Sequence, residues 1–143
     1  MNVIILSAGS SGDTYPVSLS EFNGKPLIQI LLEKWQGTKV NFAVMLSAED
    51  IARYHLDRVV TQVSPSAKVY SVSAPTAGAA CTALMAVEQI NSDEPLLILN
   101  GDELLDINYE APLKFFNESG FDAGVISFDS VHPRYSYVRL DEN

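Results

Sequence analysis

The chain has 143 residues, 47% of them hydrophobic, which suits one domain with a sizeable core, 1–143, and is too few for two comfortable ones. Eighteen acidic residues against nine basic give a formal charge of −9, which disfavours nucleic acid and anionic membranes as partners. A single cysteine, Cys81, excludes an internal disulfide and any cysteine-rich metal site. The start "NVIIL" is strand-like, not a basic leader with a long apolar stretch, and no segment approaches a membrane span, so a soluble cytoplasmic protein is expected.

Val3 to Leu6 is a short, continuous apolar run bounded by small residues, the pattern of a strand buried on both faces. After the loop "SAGSSGDTYP", the stretch "GKPLIQILLEKWQG" has Leu27, Ile30, Leu31 and Trp35 at helical spacing, with Pro26 suited to a first turn and Gly37 to a stop. "VNFAVML" repeats the strand signal. "SAEDIARYHLDRVVTQV" predicts one helix, with Ser47 as its N-cap, Glu49 and Asp50 in its first turn and His55 within it.

"AKVYSVS" predicts a third strand, "TAGAACTALMAVEQI" a third helix, and "PLLILNGD" a fourth buried strand ending at a Gly-Asp pair. "NYEAPLKFFNESG" reads as a helix closed by Gly120, with Asp106 as its expected cap. "DAGVISFD" and "YSYVRLDEN" predict a fifth and a sixth strand. This alternation gives the expected fold class: α/β, a doubly wound, mostly parallel Rossmann-like sheet with helices on both faces.

Three segments carry candidate chemistry. Small residues after a buried strand let the backbone amides of Gly9 to Gly12 approach a phosphate, although an ordinary tight turn would look the same. "AGSSGDTYP" matches neither G-x-G-x-x-G nor G-x-x-x-x-G-K-[ST], which excludes the dinucleotide and Walker-type loops. Asp102, at the carboxyl end of a buried strand, is the best-placed carboxylate for holding Mg²⁺ against phosphate oxygens. In "APTAGAACTAL", Gly78 and its alanines allow close approach of a flat ligand, and Thr76 is a candidate cap that also faces the site. His55 and His132 have no companions for a zinc set, and no G-x-S-x-G elbow is present.

Together these segments resemble the sugar-phosphate nucleotidyltransferases, the pyrophosphorylases that join a sugar 1-phosphate to a nucleoside triphosphate. "IILSAG" is similar to the family's first strand and loop and "GKPLIQILLEKW" to its first helix. "TAGAACTALMAVEQINSDEPLLILNGDELLD" is similar to its nucleobase-facing helix and metal-bearing strand end. The closing "DAGVISFDSVHPRYSYVRLDEN" is similar to a branch associated with surface-polysaccharide precursors. The resemblance spans the whole chain and implies a family domain that is C-terminally incomplete. It implies that Ala8, Gly9, Ser10, Ser11 and Gly12 lie against the nucleotide, Thr76 and Gly78 near the base, and Asp102 on Mg²⁺. A nucleoside triphosphate and a sugar phosphate are the implied substrates; a homo-oligomer is left open.

The family loop reads G-x-G-[TS]-R-x-x-P, so alignment through Gly9 and Pro16 puts Ser11 on its second glycine and Asp13 on its arginine. A family Pro-Lys ahead of the G-K-P is absent, and Lys25 belongs to the later motif. No Lys or Arg occurs before Lys25. No catalytic residue is therefore assigned, and a binding or regulatory module without catalysis is the alternative reading. A glycosyltransferase-like domain would show two carboxylates two apart, which Asp102 and Leu104 do not supply.

Overall fold

The run NVIILS forms β1 (Asn2–Ser7), the central strand of the sheet. In this computed structural model, residues 1–9, 14–91, 93–133 and 135–140 are described, and they fall into two compact units, Met1–Leu104 and Leu105–Asn143. The first unit continues with a 3-10 turn (Val17–Leu19), a hairpin of β2 (Glu21–Phe22) and β3 (Lys25–Pro26), α1 (Leu27–Glu33), β4 (Asn41–Ser47), α2 (Ala48–Tyr54) and α3 (Leu56–Val63). β5 (Lys68–Val72), α4 (Ala79–Leu84), a second 3-10 turn (Val87–Gln89) and β6 (Leu96–Asn100) complete it. The second unit holds α5 (Glu110–Ser119).

The sheet order is β5-β4-β1-β6 with every neighbour parallel, as the alternation of strands and helices predicts. Residue parity assigns its faces. Ile4, Ala43, Met45 and Val72 lie on one side and pack with Ala83 of α4 and the following Ala86. Val3, Ile5, Val44 and Leu46, all fully buried, point the other way. On that side α3 packs on β4 and β5 and α1 packs on α3, with Ile28, Leu31, Leu56 and Val60 buried among them. Each such side chain contributes roughly 1.5–3 kcal/mol through burial, so strands covered on both faces carry most of the driving force for this unit.

Local signals place the helix ends. Gly37, at φ +86°, turns the chain after α1, and Gly120, at φ +71°, ends α5. Ser47 caps α2, its Oγ accepting from the Asp50 N–H at 3.3 Å.

Local features depart from the sequence pattern at several places. The third helix expected over "TAGAACTALMAVEQI" is confined to α4, Ala79–Leu84, and the chain continues into the separate 3-10 turn Val87–Gln89. The single helix expected over residues 47–63 breaks at His55, which takes a left-handed conformation (φ +54°) and starts α3; histidine is among the residues that tolerate it best. The β2–β3 hairpin turns on Asn23 and Gly24 at φ +51° and +79°, the Asn-Gly pair favoured for a two-residue turn. At α5 the expected capping by Asp106 is not found: Tyr109 holds the N-cap position without a side-chain cap, and just ahead of it Asn108 Oδ1 accepts from the Glu110 N–H at 2.9 Å.

The expected fifth and sixth strands are not formed among the described residues 121–140. Alternation alone supplies no ladder partner, and a strand needs one. Local contacts take its place: Phe128 meets Tyr135 edge-on at 5.0 Å, and the Tyr137 hydroxyl donates to the His132 carbonyl at 2.9 Å.

Asp50 lies buried in the first turn of α2, and desolvation, aided by Glu49 and opposed by Arg53, raises its carboxyl above the ordinary range. The folded state therefore holds this proton more tightly, and stability falls as pH rises from the ordinary carboxylate range through the raised value. Asp50→Asn is expected to raise the melting temperature at neutral pH. The gain should vanish below the unfolded-state pKa of about 3.9, as thermal melts across pH would show.

Candidate functional site

The carboxyl ends of the parallel strands bring the candidate residues to one end of the first unit, where ligands of open α/β sheets bind. Beyond β1, Ala8 is half-buried against the core cluster, while Gly9 is exposed and a Cβ added there would meet nothing within 4 Å. Packing does not demand that glycine; it leaves the backbone bare. Ser10, Ser11, Gly12 and Asp13 lie outside the described residues.

At the end of β6 the chain runs against β1. The Gly101 N–H donates to the Leu6 carbonyl at 2.8 Å. A Cβ on Gly101 would overlap Ser7 Oγ and sit 2.8 Å from Ser7 Cβ and 2.9 Å from the Leu6 oxygen. Only glycine lets the two strand ends approach this closely, and the approach sets Asp102 beside the exit of β1. The sequence marks Gly101 as half of a Gly-Asp pair, but its demand for glycine comes from a partner almost the whole unit away.

Asp102 is exposed, and its carboxylate makes no hydrogen bond or ion pair among the described residues. The neighbouring Glu103 is held back, its Oε2 accepting from Asn100 Nδ2 at 3.1 Å. Among the described residues no three His, Cys, Asp or Glu side chains gather into a metal cluster. Mg²⁺ needs no such cage, because it takes one or two carboxylates and completes its shell with water and phosphate oxygens. A lone, uncommitted Asp102 fits that donor set.

Between β5 and α4, Gly78 adopts φ +145°, a conformation that strains any side chain, and occupies the N-cap position of α4. The expected capping by Thr76 is not found. Its Oγ1 lies 3.1 Å from the Gly78 carbonyl and 2.6 Å from Thr82 Oγ1, so the two threonines brace the turn at its carbonyl instead of satisfying helix N–H groups.

Two described cations of the first unit are paired with carboxylates. Lys25 Nζ lies 2.6 Å from Glu33 Oε2, and hydrogen bonds from Lys25 and then Gln29 hold the Glu33 carboxyl below its ordinary pKa. Arg53 lies 4.0 Å from Glu49, with its guanidinium 5.5 Å from the centre of the Tyr54 ring. Tyr54 meets Tyr15 edge-on at 5.4 Å. The far end of the first loop is thereby tied to a helix that carries a cation, a link that sequence reasoning missed because only the fold joins Tyr15 to Tyr54.

The family model for nucleotidyl transferases matches residues 2–143. The chain belongs to the nucleotidyl transferase family. No curated protein matches it. Among solved structures, HddC from Yersinia pseudotuberculosis in complex with GMP-PN is similar at 25% identity and TM-score 0.61, over 85% of this chain and 54% of that one. A second structure of HddC is similar at 26% identity and TM-score 0.60, with the same coverage. Rv0371c from Mycobacterium tuberculosis H37Rv, at 14% identity and TM-score 0.60, covers 82% of this chain and 59% of that one, and shares the fold. This nucleotidyl transferase chain thus spans little more than half the length of the solved structures it matches. Among its described residues no helix is long and apolar enough to cross a membrane.

Gly101→Ala in this nucleotidyl transferase domain is expected to destabilise it by about 1–3 kcal/mol, the usual cost of forcing atoms into a packed site. Chemical denaturation would measure the loss, and backbone amide shifts should change at both strand ends.

Proposed function

We propose that this chain is the nucleotide-binding part of a sugar-phosphate nucleotidyltransferase. In that reaction an oxygen of a sugar 1-phosphate bonds to the α-phosphorus of a nucleoside triphosphate, the bond to the β-phosphate breaks, and pyrophosphate leaves with its electron pair. The observation that carries the reading is the pairing of the exposed, bare backbone at Gly9 after β1 with the uncommitted Asp102 after β6, on adjacent strands locked together at Gly101.

In this reading the amides of residues 8–12 orient the phosphates, Thr76 and Gly78 hold the turn along which the base lies, and Asp102 holds Mg²⁺ together with phosphate oxygens. The ion, when bound, supplies positive charge to the oxygens on which charge builds. A role in surface-polysaccharide precursor synthesis in the cytoplasm rests on the resemblance of the closing segment. The complex of HddC with GMP-PN makes guanine nucleotides the first to test.

One feature favours a second reading, a nucleotide-binding or regulatory module that does not turn over. No Lys or Arg precedes Lys25, and Lys25 is paired with Glu33. A triphosphate at the loop meets few cations from this chain, and transition-state charge left unmatched costs several kcal/mol, on the order of 3 for one lost donor.

Calorimetric titration with GTP, ATP, CTP, UTP and dTTP, each with and without Mg²⁺, tests both readings. Saturable, Mg²⁺-dependent binding of one nucleotide is expected, weakened about tenfold or more by Asp102→Ala with the fold intact by circular dichroism. Pyrophosphate release with sugar 1-phosphates then separates transferase from binding module. No binding of any nucleotide at millimolar concentration would remove both.

A further inference from the structure

The opposite end of the same sheet carries a second feature. Where the strands begin, a hollow of about 200 Å³ opens between the sheet and the segment after α4. That is room for on the order of six waters, or for one small molecule. Its origin is a cross-strand row, Ile4–Ala43–Lys68, in which the middle residue is too small to fill its place. The segment that covers the hollow is pinned to β1, since Asn2 Nδ2 donates to the Asn91 carbonyl at 2.8 Å. Glu94, a little further on, pairs with the amino terminus.

Around this hollow stand Asn41, Ser66, Lys68, Tyr70 and Gln89, and none of their side chains makes a hydrogen bond or ion pair among the described residues. The acidic residues flanking the covering segment are Glu88, Asp93 and Glu94, of which Glu94 pairs with the amino terminus. Amide and hydroxyl groups beside an apolar floor of Ala43 and Ile90 suit a short carbon skeleton bearing hydroxyls. The lysine suits an anionic end.

We propose that this hollow is a second small-molecule site, remote from Asp102, that takes a small phosphorylated polyol, with its phosphate on Lys68 and its hydroxyls on Asn41, Gln89 and Ser66. The site is a physical property of the first unit and stands whether or not the chain transfers nucleotides.

The test is a ¹H–¹⁵N correlation titration of the whole chain with sn-glycerol 3-phosphate, with inorganic phosphate and glycerol run separately. Saturable shifts are expected at the amides of residues 41–43, 66–70 and 89–91 and not at 7–9 or 101–102. Lys68→Ala, at an exposed position, should weaken the interaction about tenfold. Ala43→Leu, which fills the hollow, should abolish it; if that variant does not fold, Lys68→Ala decides. Absence of a saturable response, shifts confined to 7–9 and 101–102, or unchanged affinity in Lys68→Ala would overturn the proposal. An equal response to inorganic phosphate alone would overturn the polyol assignment.

Discussion

Hydrogen bonding along both edges of β1 is the constraint on which the rest depends. The strand is paired to β4 over its whole length and to β6 over nearly all of it, and it is covered on both faces by apolar side chains. A one-residue slip in either ladder would exchange Ile4 for Val3 and Ile5 at the α4 face and leave the two cores mismatched. The register is therefore fixed by packing, and it places the end of β6 against the end of β1. The closeness of Gly101, and with it Asp102, to the exit of β1 is a consequence of core packing rather than of any local attraction.

Charge distribution shapes what such a site can do. A domain of formal charge −9 repels a triphosphate at long range, so the proposed recognition relies on oriented backbone amides and on a cation brought from outside. The pairing of Lys25 with Glu33 stiffens the junction of β3 and α1 at the expense of a mobile positive side chain. Arg53 presents the opposite case: it leans on an aromatic ring connected to the loop, and its pairing with Glu49 is long and solvent-exposed, a kind of contact worth little.

β1 and β4 were legible as short apolar runs buried on both faces, whereas β5 alternates and β6, expected to be buried, exposes Leu96 and Ile98; Ser47, Gly37 and Gly120 were legible because caps and stops are local chemistry. The break at His55 was not, since the apolar periodicity passes through it unbroken and only the left-handed backbone ends α2. The hairpin at Asn23 and Gly24 carried a local signal that the neighbouring Gly-Lys-Pro overshadowed. The patterns at "DAGVISFD" and "YSYVRLDEN" predicted strands where no ladder forms among the described residues, because pairing is a property of two segments and a pattern describes one. Asp102 could be found from its strand, whereas the need for glycine at 101, the turn bracing by Thr76 and the hollow over Ala43 depend on register, which a single sequence does not display.

The strand order also dictates a sequence of events in folding. β1 leaves first during synthesis but finds its partners late: Asn2 pairs with Asn41 on one side and with Leu96 on the other. One edge can zip once β4 has emerged, while the second stays bare until nearly the whole first unit is made, a long loop closure of the kind that slows parallel sheets. Until then Ile4 and Ile5 lie on an open ladder, the setting in which nascent chains misassociate. Arrival of β6 closes that edge and, in the same step, brings Asp102 to the exit of β1, so the candidate site comes into being only when the vulnerable intermediate ends.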